Sequence, residues 1–436
     1  MRSIVVAVPI VFLVGLPQTV DAQPSPREPL ALDVLQRAAA QADPRFREIE
    51  LLEAQSELRV GNIEAGRRPA VTAAAQAQYQ SDVPSPPAVV PGGAPLFLPP
   101  KDTYDANVRI DQAIVDPTVR PRLAAERAQL RESQARVRTA LFTLRQEVND
   151  AFFAAALLQE RTGALAATIT DLEARLEETR VRVREGAALD ADAAAIEATL
   201  LQRRQDQAEL QANRSAALRR LSKLTDREIG VDDRLAVPDL AAKIAGMRRS
   251  AAGLRARPEY EQFARTKERL ATEQQVVVAQ EQPRLSAFAR VGVGRPGLNF
   301  ISDAFEPYGV AGVQLQWRAW TWGAGGRERD ALALQREVVA ADEAAFARGI
   351  DRATDTDLAT IDRLGETVRL DDRIVALREE IVRTGEIRFR ENVVTASEYV
   401  ERTSELLAAR FAQAGHRVEL AQASARFLTT LGLEAW

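Results

Sequence analysis

The sequence predicts a mainly α-helical protein that also contributes four strands to a membrane β-barrel. Three observations carry the prediction. The chain repeats itself: Arg68-Pro69-Ala70-Val71-Thr72 recurs as Gln282-Pro283-Arg284-Leu285-Ser286, and Asp43-Pro44-Arg45-Phe46 recurs as Arg257-Pro258-Glu259-Tyr260. Both halves contain a long run without proline in which small or apolar residues return every seventh position. Four further segments alternate apolar and polar side chains over about ten residues. A repeat of this length is a duplicated half-domain, not a solenoid unit.

Residues 1–22 read as a cleaved secretory signal. Arg2 supplies the positive end, residues 4–16 the apolar stretch, and Val20-Asp21-Ala22 the small-residue cleavage site. The run is too short for a membrane anchor and is broken by Pro9 and Pro17. Residues 23–225 then form a first repeat, with a helix over 30–66, strands over 70–81 and 104–116, and helices over 118–184 and 190–224. Residues 226–250 are a linking segment. Residues 251–436 form the second repeat, with a helix over 253–281, strands over 284–294 and 308–320, and helices over 327–390 and 396–431.

The long helices rest on heptads. Leu123, Leu130, Val137, Leu144, Ala151, Leu158, Leu165 and Leu172 form one track; Leu141, Val148, Ala155, Thr162, Ile169, Leu176 and Val183 form a second, four residues on. These are the a and d positions of a left-handed coiled coil. The second half repeats the track from Ala333 through Ile361 and Val375 to Phe389. Each long helix ends in a turn that also recurs: Glu185-Gly186-Ala187-Ala188-Leu189 matches Glu391-Asn392-Val393-Val394-Thr395. Gly186 suits the left-handed residue that closes a helix, and Asn392 is the next best for it. The predicted product is a pair of helical hairpins whose turns lie far from the strands.

In the strands, Tyr104, Ala106, Val108 and Ile110 alternate with Asp105, Asn107, Arg109 and Asp111, and Val313, Leu315 and Trp317 with Gln314, Gln316 and Arg318. Residues 284–293 alternate similarly, with Arg290 on the polar side; 71–80 is the weakest case, dominated by alanine. Period two gives one apolar and one wet face, and ten residues suit a tilted bilayer crossing. Tyr308, Trp317, Trp320 and Trp322 bracket the fourth strand as interfacial aromatics would. The same alternation also serves a half-buried sheet on a soluble domain. In lipid, however, a sheet must close, and four strands cannot. Copies would have to pool strands, giving about eight, twelve or sixteen for two, three or four chains, with Arg109, Asp111, Arg290, Gln314, Gln316 and Arg318 lining the bore.

Composition narrows the function. There is no cysteine, so neither a disulfide nor a lipidated cysteine is available, and the single histidine, His416, reads as a helix residue, not a ligand. A net charge of −4 gives no basic footprint for nucleic acid. No nucleophile elbow, phosphate loop or metal-spaced cluster occurs, so no catalytic, cofactor or metal residue is assigned and an enzyme is not predicted.

The ordered duplication is joined by two strand-to-helix junctions, Arg109-Ile110-Asp111-Gln112-Ala113-Ile114-Val115-Asp116 and Leu315-Gln316-Trp317-Arg318-Ala319-Trp320-Thr321-Trp322-Gly323, and by the turn region from Phe389 to Glu401. On these residues the chain resembles the TolC-type outer-membrane efflux proteins over nearly its whole mature length. The resemblance implies a homotrimer with one shared twelve-stranded barrel in outer-membrane lipid. A helical barrel would continue it into the periplasm of a Gram-negative-type bacterium. It implies a periplasmic adaptor (membrane fusion) protein and an inner-membrane pump as partners, the turns at 185–189 and 391–395 docking the adaptor. The family's gate carboxylates match Glu398 and Glu401, with Asp192 at the corresponding place in the first turn. Three residues apart on a helix, the two glutamates share a face, and crowded carboxylates would favour cations. Two departures stand out: Val394 replaces a latching basic residue, and Asn392 a glycine. The alternative reading is a periplasmic coiled-coil adaptor or scaffold without a pore.

Overall fold

The computed structural model describes residues 28–83, 100–248, 255–299 and 302–433. The expected signal segment, 1–22, lies outside them. Four helices set the dimensions: α3 (Val119–Arg184), α4 (Asp190–Thr225), α7 (Ala324–Arg390) and α8 (Ala396–Thr430), labels following chain order. The 66 residues of α3 make a rod about 100 Å long. Its heptad positions Val137, Leu144, Ala151, Leu165 and Leu172 are buried, as are Val148, Ala155, Ile169 and Leu176 of the second track. The matching positions of α7 divide. Thr354, Ile361, Val375 and Phe389 are buried, whereas Ala333, near the strands, is exposed, so that end of α7 has no full partner within the chain. Helix α3 packs on α4 and α7 on α8 as two antiparallel hairpins, which meet mainly through α3 and α8.

The shorter helices brace the rods. The helix expected over 30–66 is two, α1 (Leu32–Ala42) and α2 (Arg45–Ala65). Pro44 has no N–H to continue the ladder, and the Asp43 carboxylate accepts from the Arg45 backbone N–H at 2.8 Å, turning the chain there. Helix α6 (Pro258–Gln280) starts at a proline whose missing N–H costs nothing at that position. Helix α7 begins three residues earlier than expected, immediately after Gly323, whose φ of +72° forms the entry turn. Two-residue strands β1 (Leu30–Ala31) and β4 (Leu235–Ala236) pair in parallel, and α5 (Ala241–Met247) follows β4. Around this waist sits the larger core, in which Leu35, Phe152, Phe153, Leu221, Phe427 and Leu428 are fully buried.

Strands β2 (Ala70–Tyr79), β3 (Asp102–Val115), β5 (Arg284–Arg295) and β6 (Glu306–Gln316) form one antiparallel sheet in the order β2-β3-β5-β6. The first half thus supplies one hairpin and the second half the other, joined through β3 and β5. The fourth strand ends at Gln316, not at 320, because the chain turns towards α7 through two left-handed residues, Trp322 (φ +55°) and Gly323. Among the described residues the outer edges of β2 and β6 are unpaired. Among the described residues no helix is long and apolar enough to cross a membrane.

Candidate functional site

The register sorts the sheet into two chemical faces. Cross-strand partners share a face, so Ala73/Val108, Val108/Val291, Ala287/Val313 and Leu285/Leu315 all belong to one side. This apolar side is open: Val313 is 70% and Leu315 67% exposed. The other side carries Thr72, Gln76, Asp105, Asn107, Arg109, Asp111, Arg290, Gln314 and Gln316. There the Arg109 guanidinium donates to both Asp111 oxygens and lies 4.9 Å from the Phe288 ring centre. Tyr308 belongs to this polar side, opposite Gly292, and not to the apolar side. Its hydroxyl bonds Asp105, and the Arg290 guanidinium covers its ring at 5.4 Å. The physical reason is parity: Tyr308 sits an odd number of residues from Val313 and Leu315, hence on the opposite face. Its ring fills the space over Gly292, as the Phe288 ring fills that over Gly312.

Beyond the last strand come Trp317, Arg318, Trp320 and Trp322, all exposed. Because β6 ends at Gln316, Arg318 lies in the connection and not on a strand. The Trp317 indole N–H donates to the Glu281 carbonyl at 3.1 Å, and Trp320 meets Trp322 edge to face at 5.8 Å.

At the far end of the rods the two turns lie side by side. Both close with the same Schellman geometry. The Ala187 N–H reaches the Arg182 carbonyl at 2.7 Å and the Val393 N–H the Arg388 carbonyl at 2.8 Å, with Gly186 (φ +73°) and Asn392 (φ +57°) left-handed. Glu185, Ala187, Glu391 and Thr395 are exposed; Ala188 and Val394 are half-buried. Leu189 and Val393 are 70% and 66% exposed, leaving two apolar side chains at the tip. Asn392 ties the turns together: it bonds Arg182, and its amide donates to the Ala187 carbonyl at 3.4 Å.

A second cluster just behind the tip couples the hairpins. Tyr399 is fully buried, stacks on Phe389 at 5.5 Å, and donates its hydroxyl to Asp171 of α3 at 2.9 Å. Burial, reinforced by the Asp171 carboxylate, pushes the Tyr399 phenol up to about 12. Arg175 of α3 bonds Glu386 of α7, and Arg390 reaches back to Glu178 of α3 at 3.1 Å. Nothing in the sequence joins residues 171 and 399; only the packing of α8 on α3 brings them together. His416 is half-buried and sits 2.6 Å from Asp371 across the α7–α8 hairpin.

The three expected gate carboxylates have different surroundings. Glu398 accepts the Thr395 N–H at 3.0 Å while the Thr395 hydroxyl accepts the Glu398 N–H, a capping box. Asp192 accepts the Leu189 N–H and, across the hairpins, the Ala396 N–H, each at 3.3 Å. Glu401 is exposed and makes no hydrogen bond or ion pair among the described residues. The Thr-x-x-Glu spacing of the capping box is legible in the sequence and is a helix-start signal in its own right. No group of carboxylate or imidazole side chains able to hold a metal occurs among the described residues.

No family model matches the sequence. No curated protein matches it either. Solved structures do match. CusC, studied for its transmembrane channel formation, is 12% identical, with 93% of each chain covered and a TM-score of 0.65. The outer membrane protein VceC of Vibrio cholerae is 14% identical, covering 93% of this chain and 97% of its own, at 0.64. The open state of the MtrE outer membrane channel of Neisseria gonorrhoeae is 17% identical, covering 93% and 90%, at 0.63. At such identities the likeness speaks for architecture. The chain has the fold of the TolC-type outer-membrane channels.

Proposed function

We propose that this protein is the outer-membrane exit duct of a tripartite efflux or type I secretion system, working as a homotrimer with an adaptor and an inner-membrane pump. One observation carries the reading: a four-stranded sheet with an open apolar face, two unpaired edges and a polar reverse side stands at one end of rods about 100 Å long. Eleven residues of β6, at ~3.3 Å each and tilted by ~40°, span roughly 28 Å, matching an apolar band of about 25 Å. Unpaired edges are not tolerated in lipid, so the β6 edge of one copy meets the β2 edge of the next until the cylinder closes. Arg109, Asp111, Arg290, Gln314 and Gln316 then face the bore, and Trp317, Trp320 and Trp322 sit at its periplasmic rim. The adaptor docks on the paired turns, where Leu189 and Val393 offer apolar contacts.

Glu398, Glu401 and Asp192 form the gate in this reading, with Glu401 the carboxylate free to meet cations and the other two also holding helix starts. The test respects that double duty. Glutamine keeps a capping box, so Glu398→Gln/Glu401→Gln removes charge without removing the cap. In planar bilayers the wild type gives low, cation-selective conductance blocked by divalent cations, and the double variant loses the block. Absence of a channel in both proteins overturns the duct reading; a block that survives in the variant overturns the gate assignment alone.

A further inference from the structure

The connection between β6 and α7 holds two bulky indoles in the open for no benefit within the chain. Trp320 and Trp322 are 75% and 79% exposed and pack edge to face on each other. Trp322 adopts φ +55°, a region unfavourable for any residue with a large side chain. The turn is held there by the Arg327 guanidinium, which donates to the Trp322 carbonyl at 3.0 Å, and by the Ala324 N–H on the Thr321 carbonyl at 3.0 Å. The pair follows Trp317 in the connection that leaves the last strand.

Charge at this level has one sign in excess. All four strand-to-helix junctions lie at the same end of the sheet, and each carries arginine: Arg68 before β2, Arg120 after β3, Arg284 opening β5, and Arg318 after β6. Of the nearby carboxylates, Asp116 is held by Thr118 and Arg284, and Glu281 by Arg329. Glu64, Glu328 and Asp330 are outnumbered by Arg67, Arg68, Arg120, Arg122, Arg318 and Arg327. Arg68, Arg120 and Arg318 are exposed and have no carboxylate within ion-pair distance among the described residues. The opposite end is acidic: Asp82, Asp102, Asp303 and Glu306 stand there against Lys101 and Arg295.

We propose that the junction end is a binding belt for anionic glycerophospholipid headgroups. Trp320 and Trp322 seat at the glycerol level, where an amphipathic ring is at ease, and Arg68, Arg120 and Arg318 pair with the lipid phosphates and the headgroup's negative charge. The proposal rests on the duct reading for its orientation, which turns this end towards the periplasmic leaflet. The acidic end repels the same lipids, so preference and sidedness come from one charge distribution.

The experiment uses full-length mature protein carrying Trp436→Phe, so that every remaining tryptophan lies in the junction. It is reconstituted into phosphatidylcholine vesicles containing an equal fraction of either brominated phosphatidylglycerol or brominated phosphatidylcholine. Quenching reports which lipid sits against the indoles, and conductance of the same preparation reports the channel. Phosphatidylglycerol is preferred by at least about fivefold, the factor that one unneutralised arginine near an anionic surface supplies. The preference disappears in Arg68→Gln/Arg120→Gln/Arg318→Gln while conductance is retained. Equal quenching by the two lipids in the wild type, with conductance intact, overturns the belt and leaves the duct standing. A preference that persists in the triple variant likewise overturns it. Loss of both quenching and conductance in the wild type overturns the duct, and the belt with it.

Discussion

Replacing Tyr399 by phenylalanine separates packing from coupling at the tip of the helical hairpins. The ring stays on Phe389, and only the hydroxyl that donates to Asp171 at 2.9 Å is lost. A hydrogen bond to a charged acceptor contributes about 1.5–3 kcal/mol. Asp171 is half-buried and regains water when the hydroxyl goes, so the lower end, about 1.5 kcal/mol per chain, is the appropriate figure. In the homotrimeric duct proposed above, if opening parts α8 from α3, that is roughly tenfold per chain and about a thousandfold when three copies part together. Single-channel recording checks it: the closed-to-open ratio of Tyr399→Phe falls by two to three orders of magnitude relative to wild type. Asp171→Asn, which keeps an acceptor but not the charge, falls by less. A double-mutant cycle isolates the pair. The reasoning is refuted if Tyr399→Phe leaves opening unchanged while Asp171→Asn alters it, because the carboxylate would then act through some other group.

The buried phenol and the glycines of the sheet give three further expected outcomes. Since the folded state raises the Tyr399 phenol to about 12, the stabilisation it supplies is complete below pH 10 and is lost as pH rises towards 12. The loss, on the order of 2 kcal/mol per chain, appears as a falling melting midpoint by circular dichroism and is absent from Tyr399→Phe. In the sheet, a methyl group on Gly292 would stand 2.7 Å from the Ala106 carbonyl oxygen and 3.0 Å from the Tyr308 ring. Gly292→Ala destabilises by about 1–3 kcal/mol. Gly309→Ala, whose new methyl would meet only Val291 at 3.9 Å, leaves the midpoint of detergent-purified protein unchanged.

Local chemistry made much of the architecture legible. The heptads of α3 depend on neighbours three and four residues away, and the alternation in β3 and β5 on neighbours two away, so both periods appear directly in the sequence. The break at Pro44 was equally local and could have been read from proline and the preceding aspartate. Tyr308 was legible too, through its parity with Val313. Its aromatic character suggested an interfacial place, but strand phase decides the face, and cross-strand glycine leaves the ring room. The capping box shows the opposite difficulty: Thr395 and Glu398 carry a readable signal whose local role coexists with the one the family resemblance assigns to Glu398.

The sequence by itself determined two hairpin-and-strand halves, the places where their rods turn, and which strand side is wet. Tertiary structure alone decided that Tyr399 meets Asp171, that Asn392 bonds Arg182, and that the junction arginines gather at one end of the sheet. The division has a physical cause. Periodicity and turns are set by backbone geometry over a few residues, whereas partners more than two hundred positions apart are chosen by how whole helices and strands pack.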